Sequence, residues 1–374
     1  MYKQKETPMK KTLRTAAALV AAGALLLSGC GTGRTAPGGE AGGEAGGGFA
    51  ADAVIGVALP QKTSENWVLA EKLFNEGLSE AGFKATVQFA NGGVSEQQNQ
   101  IAAMVAKGAS VLVVGAIDGS QLGTQLQAAH DAGAVVIAYD RLLMNTEAVD
   151  FYVAYDNFKV GQLQGESLLE GLQALKGKGP WNIELIAGSP DDNNAPVFFK
   201  GAMSVLQPKI DDGTLKVLSG QTTFEQASTQ GWKSENAQKR MDTILSAKYS
   251  GDVKLDGILS PNDTLARAAL TAVKSAGKEL PVVTGQDAEV ESIKSILAGE
   301  QYSSIQKSTT DLVHHVVGMV QELQQGKTPE VNDTESYDNG VKVVPSYLLT
   351  PVIINKDNIK EVLSKDPTLS QYVQ

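Results

Sequence analysis

The sequence has few of the residues on which most enzyme and metal chemistry depends. Its 374 residues include one cysteine and three histidines. A single cysteine excludes an internal disulfide and a cysteine zinc cluster, and most catalytic triads and zinc sites need histidine. His314 and His315 are adjacent in a predicted helix, where their side chains point about 100° apart and cannot chelate one metal together. We therefore expect a structural role for this pair, and neither a metal nor a cofactor.

Basic charge is also in short supply. The chain has 32 Lys and Arg residues against 42 Asp and Glu residues, for a formal net charge of −10. Because no basic cluster is present in the folded part, nucleic acid is not an expected partner. The apolar fraction of 42% is ordinary for a globular protein and excludes wholesale disorder, and the length suits two domains.

The first thirty residues have the pattern of a secretory signal. A positive stretch at 10–14 precedes an apolar run at 16–27, which is too short to span a hydrocarbon core of roughly 30 Å. The alternative is a short buried helix, but nothing before it could cover it. The run ends in Leu-Ser-Gly-Cys at 27–30, which closely resembles the bacterial lipobox. The resemblance implies that residues 1–29 are cleaved and that Cys30 becomes an acylated N-terminus.

A glycine-rich segment follows the predicted cleavage point. Residues 31–50 contain nine glycines and no large apolar residue before Phe49. Such a composition cannot bury a core and behaves as a flexible linker. We therefore expect residues 30–52 to tether a folded protein to the outer side of the membrane.

From Ala53 onward, short apolar runs alternate with helical periodicity. Continuous apolar strands between amphipathic helices indicate a parallel sheet covered on both faces, which predicts an α/β fold. The predicted strands are 54–59, 85–89, 111–115, 135–139, 183–186, 215–218, 257–259, 282–284 and 302–305, with short β-like runs in the tail 341–354. The predicted helices are 65–81, 95–106, 120–132, 160–175, 195–206, 234–245, 264–275, 290–297 and 311–325.

Two stretches of the chain repeat one pattern. Each has an aspartate, a helix, an Ala-Gly pair, an apolar strand and a second aspartate, from Asp118 to Asp140 and from Asp263 to Asp287. The second aspartate of each stretch follows the carboxyl end of a predicted parallel strand, where open α/β sheets bind ligands. Two matched halves that turn such edges toward one another predict a ligand clamp.

Polar and aromatic side chains follow several of the predicted strands. Carboxylates, amides and fixed cations hold hydroxyl groups by charge-assisted hydrogen bonds, while aromatic rings pack against apolar C–H faces. A pyranose sugar presents both kinds of surface, so the mixture favours a sugar as the ligand. The candidates are Asn66, Trp67, Asp140, Arg141, the run 191–194, Asn262, Asp263, Asp287 and Lys307, with Trp181 and Trp232 as further aromatic groups.

Several of these residues also have structural interpretations. Asp118 and Asp263 could each be the N-cap of the helix that follows. Asp140 and Arg141 could form a surface ion pair, which contributes little stability. Trp67 could be a core residue, because it lies at helical spacing from other apolar residues.

An enzyme is the alternative function. Asp140 and Asp287 could be the two carboxylates of a secreted glycoside hydrolase. However, the adjacent Arg141 would keep Asp140 ionised and oppose a role as acid. No Gly-x-Ser-x-Gly elbow, Walker loop or Gly-x-Gly-x-x-Gly motif after the first strand is present. Binding without catalysis is the simpler interpretation, and we expect no enzyme activity.

Several stretches resemble the sugar-binding lipoproteins and periplasmic receptors of ABC importers with the type I fold, most closely the xylose-binding and multiple-monosaccharide-binding receptors. The stretches are Val-Val-Ile-Ala-Tyr-Asp-Arg at 135–141, Ala-Tyr-Asp-Asn at 154–157, Gly-Ser-Pro-Asp-Asp-Asn-Asn-Ala at 188–195, Gly-Gln-Asp-Ala-Glu at 285–289, Gly-Glu-Gln-Tyr at 299–302 and Gly-Val-Lys-Val-Val-Pro-Ser at 340–346.

The resemblance implies two Rossmann-like parallel-sheet lobes joined by a hinge of three crossings, near residues 155, 306 and 346. The N-terminal lobe would comprise 53–155 plus 307–345, and the C-terminal lobe 156–306 plus 346–374. The implied protein is a monomeric receptor that captures an aldopyranose such as xylose, glucose, galactose or arabinose and delivers it to an ABC permease. Its only contact with the membrane would be the lipid anchor.

The resemblance also implies roles for individual residues. Hydroxyl groups of the sugar would be held by Asp140 and Arg141 from the first lobe. The second lobe and the hinge would contribute Asn194, Asn262, Asp287 and Lys307, and Trp67 and Trp232 would stack on the sugar ring. Several relatives have arginine where this chain has Asn66. The shorter neutral side chain of Asn66 therefore bears on which sugar is preferred.

Overall fold

The computed structural model describes residues 48–62 and 64–374. The predicted signal sequence, Cys30 and most of the glycine-rich tether lie outside the described residues. The strands are β1 Val54–Leu59, β2 Lys84–Phe89, β3 Ala109–Val114, β4 Val135–Tyr139, β5 Phe151–Tyr155, β6 Trp181–Leu185, β7 Leu215–Val217, β8 Gly257–Leu259, β9 Val282–Val283, β10 Ser303–Gln306, β11 Ser346–Leu349 and β12 Val352–Asn355.

The helices agree with the predicted periodicity, most of them to within three residues at each end. They are α1 Glu65–Glu80, α2 Val94–Ala106, α3 Gly123–Asp131, α4 Asn157–Lys176, α5 Asn194–Asp211, α6 Phe224–Ala227, α7 Ser234–Lys248, α8 Asp263–Ser275, α9 Val290–Ala298, α10 Thr309–Gln324 and α11 Ile359–Leu363. The described residues include no helix long and apolar enough to cross a membrane.

A six-stranded parallel sheet forms the first lobe, in the order β11-β5-β4-β3-β1-β2. Alternate residues of each strand face opposite sides, so β1 contributes to two cores. Ile55, Val57 and Leu59 pack against α1 and α10, whereas Ala58 belongs to the core under α2 and α3. The prediction of a parallel sheet covered on both faces is confirmed.

The second lobe contains a four-stranded parallel sheet in the order β7-β6-β8-β9. The strand β10 pairs with β12 in an antiparallel ladder. Backbone hydrogen bonds from Tyr302 N to Val283 O (3.0 Å) and from Ile305 N to Gly285 O (3.2 Å) hold this ladder beside the end of β9. The α/β fold of two parallel-sheet lobes is thus the one the sequence predicted.

The chain passes between the lobes three times, as expected. The first crossing joins β5 to α4 near residue 156, and the second joins β10 to α10 near residue 307. The third was expected near 346, with residues 346–374 in the second lobe. Instead, residues 346–349 form β11, which pairs with β5 in the first sheet, so the chain crosses between β11 and β12. Two short strands separated by Thr350 and Pro351 give no local signal of which sheet each joins.

Three further elements were absent from the sequence prediction. The strand β5, Phe-Tyr-Val-Ala-Tyr, was missed although its aromatic and β-branched residues favour a strand. The helices α6 and α11 have four and five residues, too short to show a helical period. The helix α5 also runs past its predicted end, with Pro208 inside its last turn.

Candidate functional site

A pocket lies between the two lobes, where the carboxyl ends of both parallel sheets face each other. Its empty volume is about 410 Å³ when the space open to solvent is included. All nine residues predicted to bind a sugar line it, together with four that were not in that set. The lining comprises Ser64, Asn66, Trp67, Asp140, Arg141, Asp192, Asn194, Phe198, Trp232, Asn262, Gln286, Asp287 and Lys307.

The ends of the strands position these side chains. Asp140 directly follows β4, Lys307 directly follows β10, and Asn194 begins the helix after β6. Among the described residues, five residues other than glycine have a positive φ, and three of them line the pocket: Asp140 (61°), Trp232 (55°) and Asp287 (92°). Such conformations are costly for residues with a Cβ and concentrate at functional sites. The backbone strain therefore marks the same place as the side chains.

Two hydrogen bonds hold the carbonyl group of Asp140, one from each lobe. Tyr152 Oη donates to Asp140 O at 2.7 Å from β5, and Asn194 Nδ2 donates at 2.8 Å from the opposite lobe. The Asp140 carboxylate itself has Lys307 Nζ at 3.8 Å and otherwise faces the pocket. It is therefore oriented by its backbone and remains able to accept hydrogen bonds from a ligand.

Arg141 is buried and is not part of a surface ion pair with Asp140. Its Nη1 donates to Ala116 O at 2.9 Å, and its Nε lies 3.0 Å from Asp192 Oδ2 in the other lobe. The guanidinium also lies 5.3 Å from the ring centre of Trp67, within cation–π distance. These three contacts fix the plane of the guanidinium at the wall of the pocket.

Asp192 connects the arginine of one lobe to the tryptophan of the other. Its Oδ2 faces Arg141 Nε and accepts from Trp232 Nε1 at 3.0 Å, and its Oδ1 accepts from Asn194 N at 2.9 Å. Burial raises the pKa of Asp192, and the positive charge of Arg141 opposes this shift. The residue lies in the run 191–194 that the sequence singled out, but its own role was not predicted. Asp191 instead accepts from Gln230 and does not line the pocket.

Lys307 lies between the two carboxylates that the enzyme alternative would need. Its Nζ is 3.2 Å from Asp287 Oδ1 and 3.8 Å from Asp140 Oδ2. Burial disfavours the charge of Lys307, but Asp287 and Asp140 outweigh it and raise its pKa. Burial also raises the pKa of Asp287, against the effect of Lys307. The hinge thus places a fixed cation between the carboxylates of both lobes.

The amide of Asn194 is largely occupied by the protein. Its Nδ2 donates to Asp140 O, and its Oδ1 accepts from Asn157 Nδ2 at 3.0 Å. The neighbouring Asn193 Nδ2 donates to Leu142 O at 3.1 Å, again across the cleft. Asn194 lines the pocket as predicted, but most of its hydrogen bonds join the two lobes.

The helix after β8 is capped by Asn262 and not by Asp263. Asn262 Oδ1 accepts from Leu265 N at 3.0 Å, which leaves its Nδ2 for the pocket. Asp263 is fully buried and accepts from Gln301 Nε2, Ser304 Oγ and Glu289 N at 2.8–2.9 Å. Burial, with the nearby Glu289, raises the pKa of Asp263 well above its usual value. The N-cap interpretation of Asp263 is therefore wrong, because the preceding asparagine takes that position.

The N-cap interpretation of Asp118 is also wrong. The helix α3 begins at Gly123, and the Asp118 carboxylate accepts from Ser120 N at 2.9 Å in the turn before it. Asp118 does not line the pocket. The carboxylates of Asp118 and Asp140 both follow strands of the first sheet, yet they have different surroundings.

The three tryptophans have three different positions. Trp67 packs edge-on against Tyr139 at 6.0 Å between ring centres and also lines the pocket, so it is a core and a site residue at once. Trp232 lines the opposite side. Trp181 begins β6, at the far end of that strand from the pocket, and is buried in the core of the second lobe. Its expected place near the ligand is therefore wrong.

Ser64, Phe198 and Gln286 are pocket residues that the sequence analysis missed. Gln286 Oε1 is buried and has no hydrogen-bond partner within the part of the chain that the structure describes. Ser64 Oγ donates to Asn66 Oδ1, and Phe198 lies one helical turn after Asn194. Gln286 could have been predicted from the sequence, because it immediately precedes the predicted site residue Asp287. Residues 48–62 and 64–374 contain no group of acidic residues, histidines or cysteines able to hold a metal ion.

Comparisons with known proteins identify what the chain is similar to. The family described as "Periplasmic binding protein domain" matches residues 55–328. The multiple sugar-binding periplasmic receptor ChvE of Rhizobium radiobacter is 51% identical over 321 residues, which cover 84% of this chain and 90% of that protein. The D-xylose-binding periplasmic protein of Escherichia coli K12 is 37% identical, covering 83% and 89%. A solved ABC transporter solute-binding protein from Clostridium phytofermentans, with bound β-D-glucose, superposes with a TM-score of 0.82 at 41% identity, covering 86% of this chain and all of that one.

Proposed function

The chain belongs to the periplasmic binding protein domain family, and from this premise we propose that it is an extracytoplasmic receptor that captures one monosaccharide and delivers it to an ABC permease. The resemblance stated from the sequence is confirmed by these relatives, which are binding proteins that act outside the cytoplasm. The aldopyranoses named above, with glucose and xylose foremost, are the proposed ligands.

The observation that carries the proposal is the composition of the pocket. Three carboxylates (Asp140, Asp192 and Asp287) and two cations (Arg141 and Lys307) lie between two tryptophans. The charges are nearly balanced and mutually paired, which suits a neutral ligand with many hydroxyl groups. A uronic acid or sugar phosphate would bring a further negative charge to the three carboxylates. We therefore infer that neutral monosaccharides are preferred over anionic ones.

The geometry favours binding over hydrolysis. A glycoside hydrolase needs one carboxyl group that can donate a proton and one that stays ionised. Here Asp140 and Asp287 share one buried ammonium, Lys307, at 3.8 and 3.2 Å. The ammonium of Lys307 thus pairs with both carboxylates at the wall of the pocket, an arrangement that suits charge-assisted hydrogen bonding to a ligand. We therefore propose that the protein has no enzyme activity.

Calorimetric titration of the purified protein tests this function. D-Glucose, D-xylose, D-galactose and L-arabinose are the ligands, and D-glucuronate and glucose 6-phosphate are the anionic controls. At least one neutral sugar should bind with one site per chain, and neither control should compete with it. Binding of no neutral sugar, or release of a sugar from an aryl glycoside, would argue against a receptor.

We also propose that the protein is held at the membrane by lipid on Cys30. The support is the Leu-Ser-Gly-Cys sequence at 27–30 with the glycine-rich segment behind it. Cys30→Ser should move the protein from the membrane fraction to the soluble extracytoplasmic fraction, as measured by immunoblotting. His130→Ser, which changes an exposed residue of the folded part, is the control. Equal membrane association of both variants would refute the anchor.

A further inference from the structure

Two helices that begin at opposite sides of the cleft lack side-chain caps of their own. The helix α1 of the first lobe begins at Glu65, and the side chain of its N-cap residue, Ser64, caps nothing. The helix α9 of the second lobe begins at Val290, and the side chain of its N-cap residue, Glu289, makes no capping bond within α9. The first N–H groups of a helix need acceptors from elsewhere.

Each of these helices takes an acceptor from the other lobe. Glu65 Oε2 accepts from Val290 N at 2.9 Å, and Glu289 Oε1 accepts from Glu65 N at 3.4 Å. In an ordinary capping box, two residues of one helix satisfy each other's N–H groups. Here the same exchange joins two helices across the cleft. Each carboxylate also lies at the positive end of the opposite helix, which stabilises the contact further.

The two carboxylates differ in how firmly they are held. Glu289 is fixed by Arg267 Nη2 at 2.6 Å and by Thr264 Oγ1 at 2.9 Å, and its side chain is 1% exposed. Glu65 is exposed, and within residues 48–62 and 64–374 its carboxylate accepts a hydrogen bond only from Val290 N. The Glu289 carboxylate is therefore held in position by its own lobe, whereas the Glu65 carboxylate is held by its contact with the other lobe.

The contact lies beside the pocket in both lobes. Asn66 and Trp67 directly follow Glu65, while Asp287 precedes Glu289 by two residues. We propose that Glu65 is a positioning residue, which locks the lobes around the bound sugar by capping α9 and places Asn66 and Trp67 against it. This proposal rests on the proposed function, because it assigns Glu65 to the closed, sugar-bound arrangement.

Such a latch affects sugar release and not folding. When the lobes separate, the Glu65 carboxylate and both N–H groups return to water, where they are hydrated at little cost, while Glu289 keeps its bonds to Arg267 and Thr264. Loss of Glu65 should therefore leave the sugar-free protein as stable as before. It should increase the rate at which the sugar leaves, since changes at one interface act mostly on dissociation.

The test uses stopped-flow tryptophan fluorescence with D-glucose on the full chain and three variants. Glu65→Ala should dissociate about fivefold faster, the size expected for one helix cap, with an unchanged association rate. Glu65→Gln keeps an acceptor oxygen and should lie between Glu65→Ala and the unmodified protein. Glu76→Ala, at an exposed position of the same helix that faces Lys72 at 3.9 Å, is the matched control and should change neither rate.

Two readouts separate a latch from a structural role. In the unmodified protein, D-glucose should slow amide hydrogen exchange in residues 288–292, and Glu65→Ala should remove that protection. The melting temperature without sugar should be the same for both. An unchanged dissociation rate, retained protection at 288–292, or a melting temperature lowered equally with and without sugar would overturn the latch. Failure of the unmodified chain to bind any neutral monosaccharide would instead overturn the receptor function on which the latch depends.

Discussion

Replacing Asp140 with asparagine should weaken sugar binding by about two orders of magnitude. The substitution keeps the size of the side chain and removes its charge. The Asp140 carboxylate faces the pocket from the first lobe, with Lys307 Nζ at 3.8 Å. Its backbone is held by Tyr152 and Asn194, so the fold around it does not depend on the carboxylate.

The magnitude follows from the hydrogen bonds that the carboxylate offers. A hydrogen bond to a charged group contributes roughly 1.5–3 kcal/mol. The asparagine amide offers one neutral acceptor oxygen, and its NH₂ group replaces the second carboxylate oxygen with a donor where the sugar hydroxyl needs an acceptor. A loss of about 3 kcal/mol corresponds to a dissociation constant about two decades higher. Lys307 keeps its closer partner, Asp287 at 3.2 Å, so its charge stays compensated.

Asp118→Asn is the matched control for this prediction. Asp118 also follows a strand of the first sheet, but its carboxylate accepts hydrogen bonds within its own turn, from Ser120 and Gln121. Calorimetric titration with a neutral monosaccharide should show unchanged affinity for Asp118→Asn and a large loss for Asp140→Asn. Thermal unfolding without sugar confirms that both variants fold. Equal losses of affinity would refute the reasoning, because they would show that pocket contact does not decide which aspartate matters.

Two further predictions concern packing and pH. A Cβ added at Gly188 would overlap the indole of Trp232. Gly188→Ala should therefore displace that ring and weaken sugar binding about tenfold in a calorimetric titration. Gly123→Ala, with open space around the added Cβ, is the control and should bind the sugar normally. The raised pKa of Asp263 means that the folded chain holds a proton there which the unfolded chain releases above its usual pKa of about 4. The contribution of this site to stability therefore falls as the pH rises from about 4 to the raised pKa of Asp263 in the folded chain. In calorimetric scans, the melting temperature of Asp263→Asn relative to that of the unmodified protein should increase with pH. A difference in melting temperature that is constant with pH would contradict this assignment.

Local patterns in the sequence were enough to predict the fold class and most of its elements. The alternation of apolar strands with helical periods depends only on which residues are apolar and at what spacing, and both are written in the chain. The same patterns placed Asp140, Asn262, Asp287 and Lys307 after strands, and the topology of parallel sheets brings such positions to one edge. These four residues therefore meet in one pocket, where they lie beside the other residues that the resemblance implied.

Tertiary structure alone decided how these groups pair. Asn194 and Asp140 are 54 positions apart, and the bond between the amide of one and the carbonyl of the other exists only because two lobes are packed face to face. The same holds for Arg141 with Asp192 and for Glu65 with Val290. The sequence likewise did not determine which sheet β11 joins, since a strand of four residues can pair in either lobe. A side chain's type and spacing determine what it can bind, but which partner it meets depends on distances between remote segments, and those distances arise only when the chain has folded.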